Sequence, residues 1–215
     1  INAGDEKAKL AFDSMAYVQS KDIAAMAAVL SMNVDAIVPP HGKMGAALTA
    51  MKRVRPDKNI LTIAGDGGAY AIGLGETTSA ALRNENVTMF VMNNTVFGMT
   101  GGQLAPTTMI GQKTASTPAG RNFVDNGENT DVFKLMKGMD IAYLARTSVT
   151  SPANINRTKK AVRKAIEKQQ AGKGFSLVEV LVPCPTNWHM TPVDSMKHID
   201  EVVSKVYELG EVIDR

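Results

Sequence analysis

Residues 59–71 read NILTIAGDGGAYA: a short apolar run from Ile60 to Ala64, then Gly-Asp-Gly-Gly, then a helix-like segment. A run this short, rich in β-branched residues and lacking alternation, is what a strand buried on both faces looks like. Four similar runs flank it: DAIVPP (35–40), NVTMFVM (86–92), DIAYLAR (140–146) and FSLVEVLV (175–182). Between them lie segments of helical pattern, Met44–Val54, Ala69–Arg83, Asp131–Met139 and Asn154–Gln170. A closing helix is expected from about Pro192 to Leu209, and one or two helices within the first thirty residues. Strand–helix alternation predicts an α/β fold: a doubly wound, mostly parallel sheet with helices on both faces. Ligands of such sheets bind beyond the carboxyl ends of the strands. The segment Thr95–Asn129 has no periodicity and is too long for a neutral connector, so it is expected to be functional or disordered.

Composition narrows the class. The chain has 215 residues, 44% hydrophobic and 21% charged, enough to bury one sizeable core and too apolar for intrinsic disorder. A single cysteine, Cys184, excludes a disulfide framework within the chain and fits a reducing compartment. A net charge of +3, dispersed along the sequence, does not argue for nucleic acid as a partner. No apolar run approaches a membrane span, and the first residues lack a signal-peptide core, so a cytoplasmic single-domain protein is expected.

Chemistry enters at the strand ends. In Gly65-Asp66-Gly67-Gly68, the glycines let the backbone turn tightly and bring N–H groups close to an anion at a helix N-terminus. An acidic residue within a phosphate turn repels the phosphate unless a cation lies between them. Asp66 thus points to phosphate-bound Mg²⁺, although GDGG alone also describes a plain turn. Asn93-Asn94 ends the next strand, one helix later, and an amide oxygen is a neutral hard ligand suited to the same ion. An asparagine pair is also a common turn cap, so the combination is more specific than either half.

Gly65-Asp66-Gly67, twenty-five residues, then Asn93-Asn94 resembles the thiamine-diphosphate motif. The strings VMNNTVFGMTGGQLAPTTMIGQKTASTPAGRN (91–122) and GFSLVEVLVPCPTNWHMTPVDSMKHI (174–199) resemble the beta subunit of 2-oxoacid:ferredoxin oxidoreductases. The similarity runs from about Val34 to Asp200, whereas residues 1–32 depart from the family pattern. It implies a thiamine-diphosphate-binding fold in which Asp66 and Asn94 ligate Mg²⁺ by side chain and Val96 by its carbonyl. It also implies that Gly65, Gly67 and Gly68 present backbone amides to the diphosphate, under a loop Met99-Thr100-Gly101-Gly102-Gln103 that closes over the cofactor. His41-Gly42-Lys43 resembles a family His-Gly-Arg near the cofactor; His41 is the candidate catalytic side chain, and Lys43 keeps the charge but loses bidentate geometry.

The implied activity is oxidative decarboxylation of a 2-oxoacid to an acyl-coenzyme A and CO₂, with electrons passed through iron–sulfur centres to ferredoxin. The implied partners are an alpha subunit that completes the thiamine site with its glutamate, ferredoxin-like or gamma and delta subunits, the 2-oxoacid and coenzyme A. Cys184 matches a position that ligates a [4Fe–4S] cluster in relatives, but the chain lacks the other cysteines. A cluster would need them from elsewhere, and Cys184 is otherwise a structural thiol. No lysine adjoins Thr100, which tilts the expectation towards a branched-chain 2-oxoacid. The basic residues Arg157 to Lys168 read as a solvated helix face or as an attractor for an acidic electron carrier. Two competing readings are a non-oxidative thiamine decarboxylase or carboligase and a non-catalytic scaffold subunit.

Overall fold

The computed structural model describes Ala36, Ile37 and residues 41–215. The expected helices of the first thirty residues, and the divergent segment 1–32, lie outside the described residues. The described strands are β1 (Ala36–Ile37), β2 (Ile60–Gly65), β3 (Thr88–Asn93), β4 (Val96–Phe97), β5 (Gln103–Leu104), β6 (Tyr143–Ser148), β7 (Ser176–Leu181) and β8 (Gly210–Asp214). Six of these form one sheet in the order β1-β2-β3-β7-β6-β8, parallel throughout except for β8, which runs antiparallel to β6. All five expected strands are present, and the doubly wound reading holds.

Helices cover both faces. On one face α1 (Met44–Val54), α2 (Leu74–Leu82) and α4 (Val132–Met136) join Ile60, Ala64, Met89, Val91, Leu144 and Leu177 in a single core. The other face carries α5 (Pro152–Gln170), which packs on β6 and β7. Its start is set by Ser151, whose side chain accepts from the Asn154 N–H, and by Pro152 in the first turn. Its buried stripe, Ala161, Val162, Ala165, Ile166 and Gln169, recurs at helical spacing.

Three expectations need correction. The expected helix from Pro192 is present but ends at Val206 rather than Leu209, running as α7 (Pro192–His198), a π-helical segment (Ile199–Val203) and a last turn (Ser204–Val206), and β8 rather than the helix closes the chain. Only Ile213 of that strand is buried, so its five residues offer no apolar pattern. The expected helix from Ala69 opens as a π-helical turn, Gly68–Ile72, before α2 begins at Leu74. Gly73 closes that turn by donating to the Gly68 carbonyl at 3.0 Å, and the Thr77 hydroxyl satisfies the carbonyl of Ala69. The helix expected over Asp131–Met139 shrinks to Val132–Met136.

The aperiodic stretch is ordered by one buried cation. Arg121 is 5% exposed and directs its guanidinium at six backbone carbonyls, those of Ala105, Pro106, Thr108, Asn126, Gly127 and Glu128, at 2.6–3.3 Å. It thereby ties residues 105–108 to the turn after α3 (Phe123–Asn126). A guanidinium has five N–H donors in a fixed fork, and these carbonyls occupy them all.

Candidate functional site

Strand alternation explains which polar groups meet. Ile60 and Ala64, Met89 and Val91, Leu144, and Leu177 face the same layer; two residues further along each strand stand Asp66, Asn93, Arg146 and Glu179. The carboxyl end of the sheet therefore collects a buried polar group under the candidate loops. β2 and β3 are neighbours in register, Gly65 beside Met92, so Asp66 and Asn93-Asn94 leave adjacent strand ends. The two halves of the sequence motif are brought together.

Asp66 is 2% exposed. Its carboxylate accepts a short hydrogen bond from the Thr107 hydroxyl, and burial pushes its pKa up to about 7 against the lowering effect of Thr107 and the Gly67 amide. A carboxyl held that way in an apolar surround is stabilised in ionised form by a cation. Gly67 is needed beside it, because a Cβ there would lie 2.3 Å from the Phe97 ring.

The Asn94 side-chain oxygen accepts from the Val96 amide at 3.3 Å, and its main-chain carbonyl accepts from Trp188 Nε1 at 3.1 Å. Thr95 between them has φ +62°, a left-handed conformation unusual for a β-branched residue. Three contacts hold it there. Its amide donates to Asn93 Oδ1 at 3.0 Å, its carbonyl accepts from the Thr108 hydroxyl at 2.5 Å, and its hydroxyl accepts from Gln112 Nε2 at 2.8 Å.

The remaining expected residues fall around this centre. Met99, Thr100 and Gly101 are exposed at the tip of the β4–β5 hairpin. The hairpin packs on α6 (Pro185–Trp188), where a Cβ at Gly102, already at φ +80°, would meet Asn187 at 2.8 Å. The His41 ring lies against Gly68: a Cβ there would stand 3.1 Å from its Nδ1. Lys43 is turned away and pairs with Glu76 of α2, lowering that carboxyl's pKa. Cys184 is half-buried, its sulfur 3.2 Å from Asn187 Nδ2, and among the described residues no group of three or more His, Cys, Asp or Glu gathers to hold a metal.

Sequence reasoning missed the layer behind these loops. Glu179, 1% exposed in the middle of β7, accepts from Arg146 Nε at 2.6 Å, from Asn93 Nδ2 at 3.2 Å and from the Tyr70 hydroxyl at 2.8 Å. Arg146 also donates to Asp131 at 2.7 Å and lies 3.9 Å over the Phe133 ring. Burial raises the Tyr70 pKa, and Glu179 raises it further. The Tyr207 ring covers Arg146 at 5.2 Å, and its hydroxyl donates to the Thr107 carbonyl at 2.6 Å. One signal was available: a glutamate interrupting the apolar run SLVEVL needs a buried partner.

A glycine turn, one buried carboxylate and one amide oxygen stand at adjacent parallel strand ends of an α/β domain. The donor set fits Mg²⁺ with two phosphate oxygens: a carboxylate, an amide oxygen and a carbonyl are hard ligands, and Mg²⁺ binding through few carboxylates plus phosphates is its usual mode. The chain belongs to the thiamine pyrophosphate enzymes, through their C-terminal TPP binding domain, whose family model matches residues 17–180. It is 37% identical over 176 residues to the ketoisovalerate oxidoreductase subunit VorA of Methanothermobacter thermautotrophicus, covering 81% of this chain and 37% of that protein. It is also 37% identical over 171 residues to the 2-oxoglutarate synthase subunit KorB of Archaeoglobus fulgidus, covering 79% of this chain and 60% of that one. The chain thus spans about two-fifths to three-fifths of these relatives' lengths. Its fold is shared with a 2-oxoglutarate:ferredoxin oxidoreductase from Magnetococcus marinus, at a TM-score of 0.66 and 20% identity over 85% of this chain and 72% of that one. Among the described residues, no helix is long and apolar enough to cross a membrane.

Proposed function

We propose that this chain is the thiamine-diphosphate- and Mg²⁺-binding beta subunit of a 2-oxoacid:ferredoxin oxidoreductase. The observation that carries the proposal is the convergence of Asp66 and Asn93-Asn94 at adjacent strand ends, with the Gly65–Gly68 turn opening the next helical segment. Asp66, Asn94 Oδ1 and the Val96 carbonyl would hold the cation, and the amides of the Gly65–Gly68 turn the diphosphate. When bound, thiamine diphosphate supplies the carbanion chemistry that releases CO₂ from a 2-oxoacid. The chain's part is to anchor and orient: Thr107 fixes the Asp66 carboxylate, Trp188 fixes the Asn94 backbone, and the exposed Met99–Gly101 tip would close over the bound cofactor.

An alpha subunit supplying a glutamate, iron–sulfur electron carriers, coenzyme A and ferredoxin complete this reading. Relatives of equal identity are named for ketoisovalerate and for 2-oxoglutarate, so the substrate is proposed as a 2-oxoacid. Cys184 is the one thiol this chain offers, so any four-iron cluster draws its other ligands from elsewhere. Lys43, paired with Glu76, is not assigned a cofactor role.

The test is the thiamine content of the native assembly, purified anaerobically with Mg²⁺ and excess cofactor, then washed. Near one thiamine diphosphate per chain is expected, lost in Asp66→Ala. Ferredoxin reduction dependent on a 2-oxoacid separates this activity from a non-oxidative decarboxylase. An intact assembly that retains no cofactor would leave a scaffold subunit.

A further inference from the structure

The buried Glu179 is not among the residues proposed to hold the cofactor, yet its partners flank both candidate ligand segments. It lies in β7, between β3 and β6, and all six residues of that strand are buried. Burying an ion pair in a strand interior does not by itself stabilise a fold, since well-packed apolar residues often do as well. The placement of its partners is more specific. Tyr70 lies four residues past Asp66, in the π-helical turn that follows the glycines; Asn93 lies immediately before Asn94. Because the carboxylate receives Asn93 Nδ2, the opposite end of that amide, Oδ1, is directed at the Thr95 N–H. That bond is one of the three that hold Thr95 left-handed, and Thr95 sits between Asn94 and Val96.

A second path closes the circuit. Arg146, bound to the same carboxylate, is covered by Tyr207, which holds the carbonyl of Thr107, which in turn holds Asp66. We infer that Glu179 is a positioning residue. Its carboxylate fixes the orientation of the Asn93 amide and so places the Asn94 side chain and the Val96 carbonyl opposite Asp66. This rests on the metal-bridged diphosphate site proposed above.

The test is Mn²⁺ affinity in the presence of saturating thiamine diphosphate, read from the electron paramagnetic resonance of free Mn²⁺, on the native assembly. Thermal unfolding of the cofactor-free forms is followed in parallel. Glu179→Leu is expected to weaken Mn²⁺ binding by ten- to a hundredfold. Asn93→Asp keeps the size of the side chain but sets a second carboxylate against Glu179, and at least a tenfold loss is expected even where Glu179→Leu folds poorly. Glu179→Gln is expected to stay within about threefold of wild type. Its amide oxygen can receive Arg146 and Asn93, while its NH₂ donates to a Tyr70 hydroxyl that turns to accept.

Wild-type affinity in Asn93→Asp overturns the inference, as does loss in Glu179→Gln as deep as in Glu179→Leu, which would make the charge rather than the geometry decisive. A wild-type assembly that binds no Mn²⁺ with thiamine diphosphate overturns the cofactor reading itself, and this inference with it.

Discussion

Asp66 is where electrostatics and binding oppose each other. Its ordinary carboxyl value is 3.8, and burial raises it to about 7 in the cofactor-free chain. Between those values the folded chain holds a proton that the unfolded chain has released, so stability falls as pH rises from about 4 to 7 and stays reduced above. The whole effect is about 4 kcal/mol. The cofactor-free protein is therefore expected to melt at a lower temperature at pH 8 than at pH 5, and Asp66→Asn should flatten that dependence while abolishing cofactor retention. A melting profile for Asp66→Asn as steep as that of wild type would place the pH sensitivity elsewhere. Mg²⁺ needs the ionised carboxylate, so its affinity should fall about tenfold per pH unit below 7 and level off above. Titrating Mg²⁺ at several pH values checks this. Asp66, the Asn pair and the glycines were legible in the sequence because each is tied to a strand end by local pattern. Glu179 and Arg146 were not, because only the sheet register sets them side by side, and Thr107 and Tyr70 were not, because they reach this layer from a loop and a π-helical turn distant in sequence.

Elements behaved according to how much of their burial pattern the sequence carries. The five strands of the parallel sheet announce themselves as continuous apolar runs, and α1 spans the predicted Met44–Val54. β8 is an edge strand held largely by polar side chains, so no hydrophobic period marks it. Lys164 bridges Glu211 and Asp214 at 2.9 and 2.8 Å, and the Tyr143 hydroxyl donates to Glu211 at 2.7 Å. Both carboxyls sit below their ordinary values, Glu211 because of Lys164 and then Tyr143, Asp214 because of Lys164 and then Lys168. Their contribution is present above the ordinary carboxylate range and lost as pH falls through the depressed folded values. Exchange of the β8 amides, corrected for intrinsic rates, should accelerate under acid, and Lys164→Met should move that onset to higher pH. Arg121 makes a sharper case within the loop segment. Removing it strands up to six carbonyls, so Arg121→Met should cost about 3–5 kcal/mol in urea unfolding. Arg121→Lys should recover little, because an ammonium cannot reproduce the fork. Equal urea midpoints for wild type and Arg121→Met would show that solvent serves those carbonyls adequately.

At the scale of the whole molecule, the proposed function requires a carboxylate to activate the cofactor's aminopyrimidine ring. Among the described residues, two glutamates on the elements that carry the candidate centre are already committed. Glu76 is held by Lys43, and the buried Glu179 receives three donors behind Asn93. Glu211 belongs to β8, at the far edge of the sheet from β2. On the proposed function the carboxylate comes from an alpha subunit, across the carboxyl edge of the sheet where the exposed Met99–Gly101 tip and His41 stand. The chain alone is accordingly expected to show no 2-oxoacid decarboxylation above background, even when saturated with Mg²⁺ and thiamine diphosphate. Adding the proposed alpha subunit should restore turnover in proportion to complex formed, and replacing that subunit's glutamate with glutamine should remove it while leaving cofactor binding in place. Decarboxylation by the isolated chain at a rate comparable to the complex would mean that an activating carboxylate lies within these 215 residues.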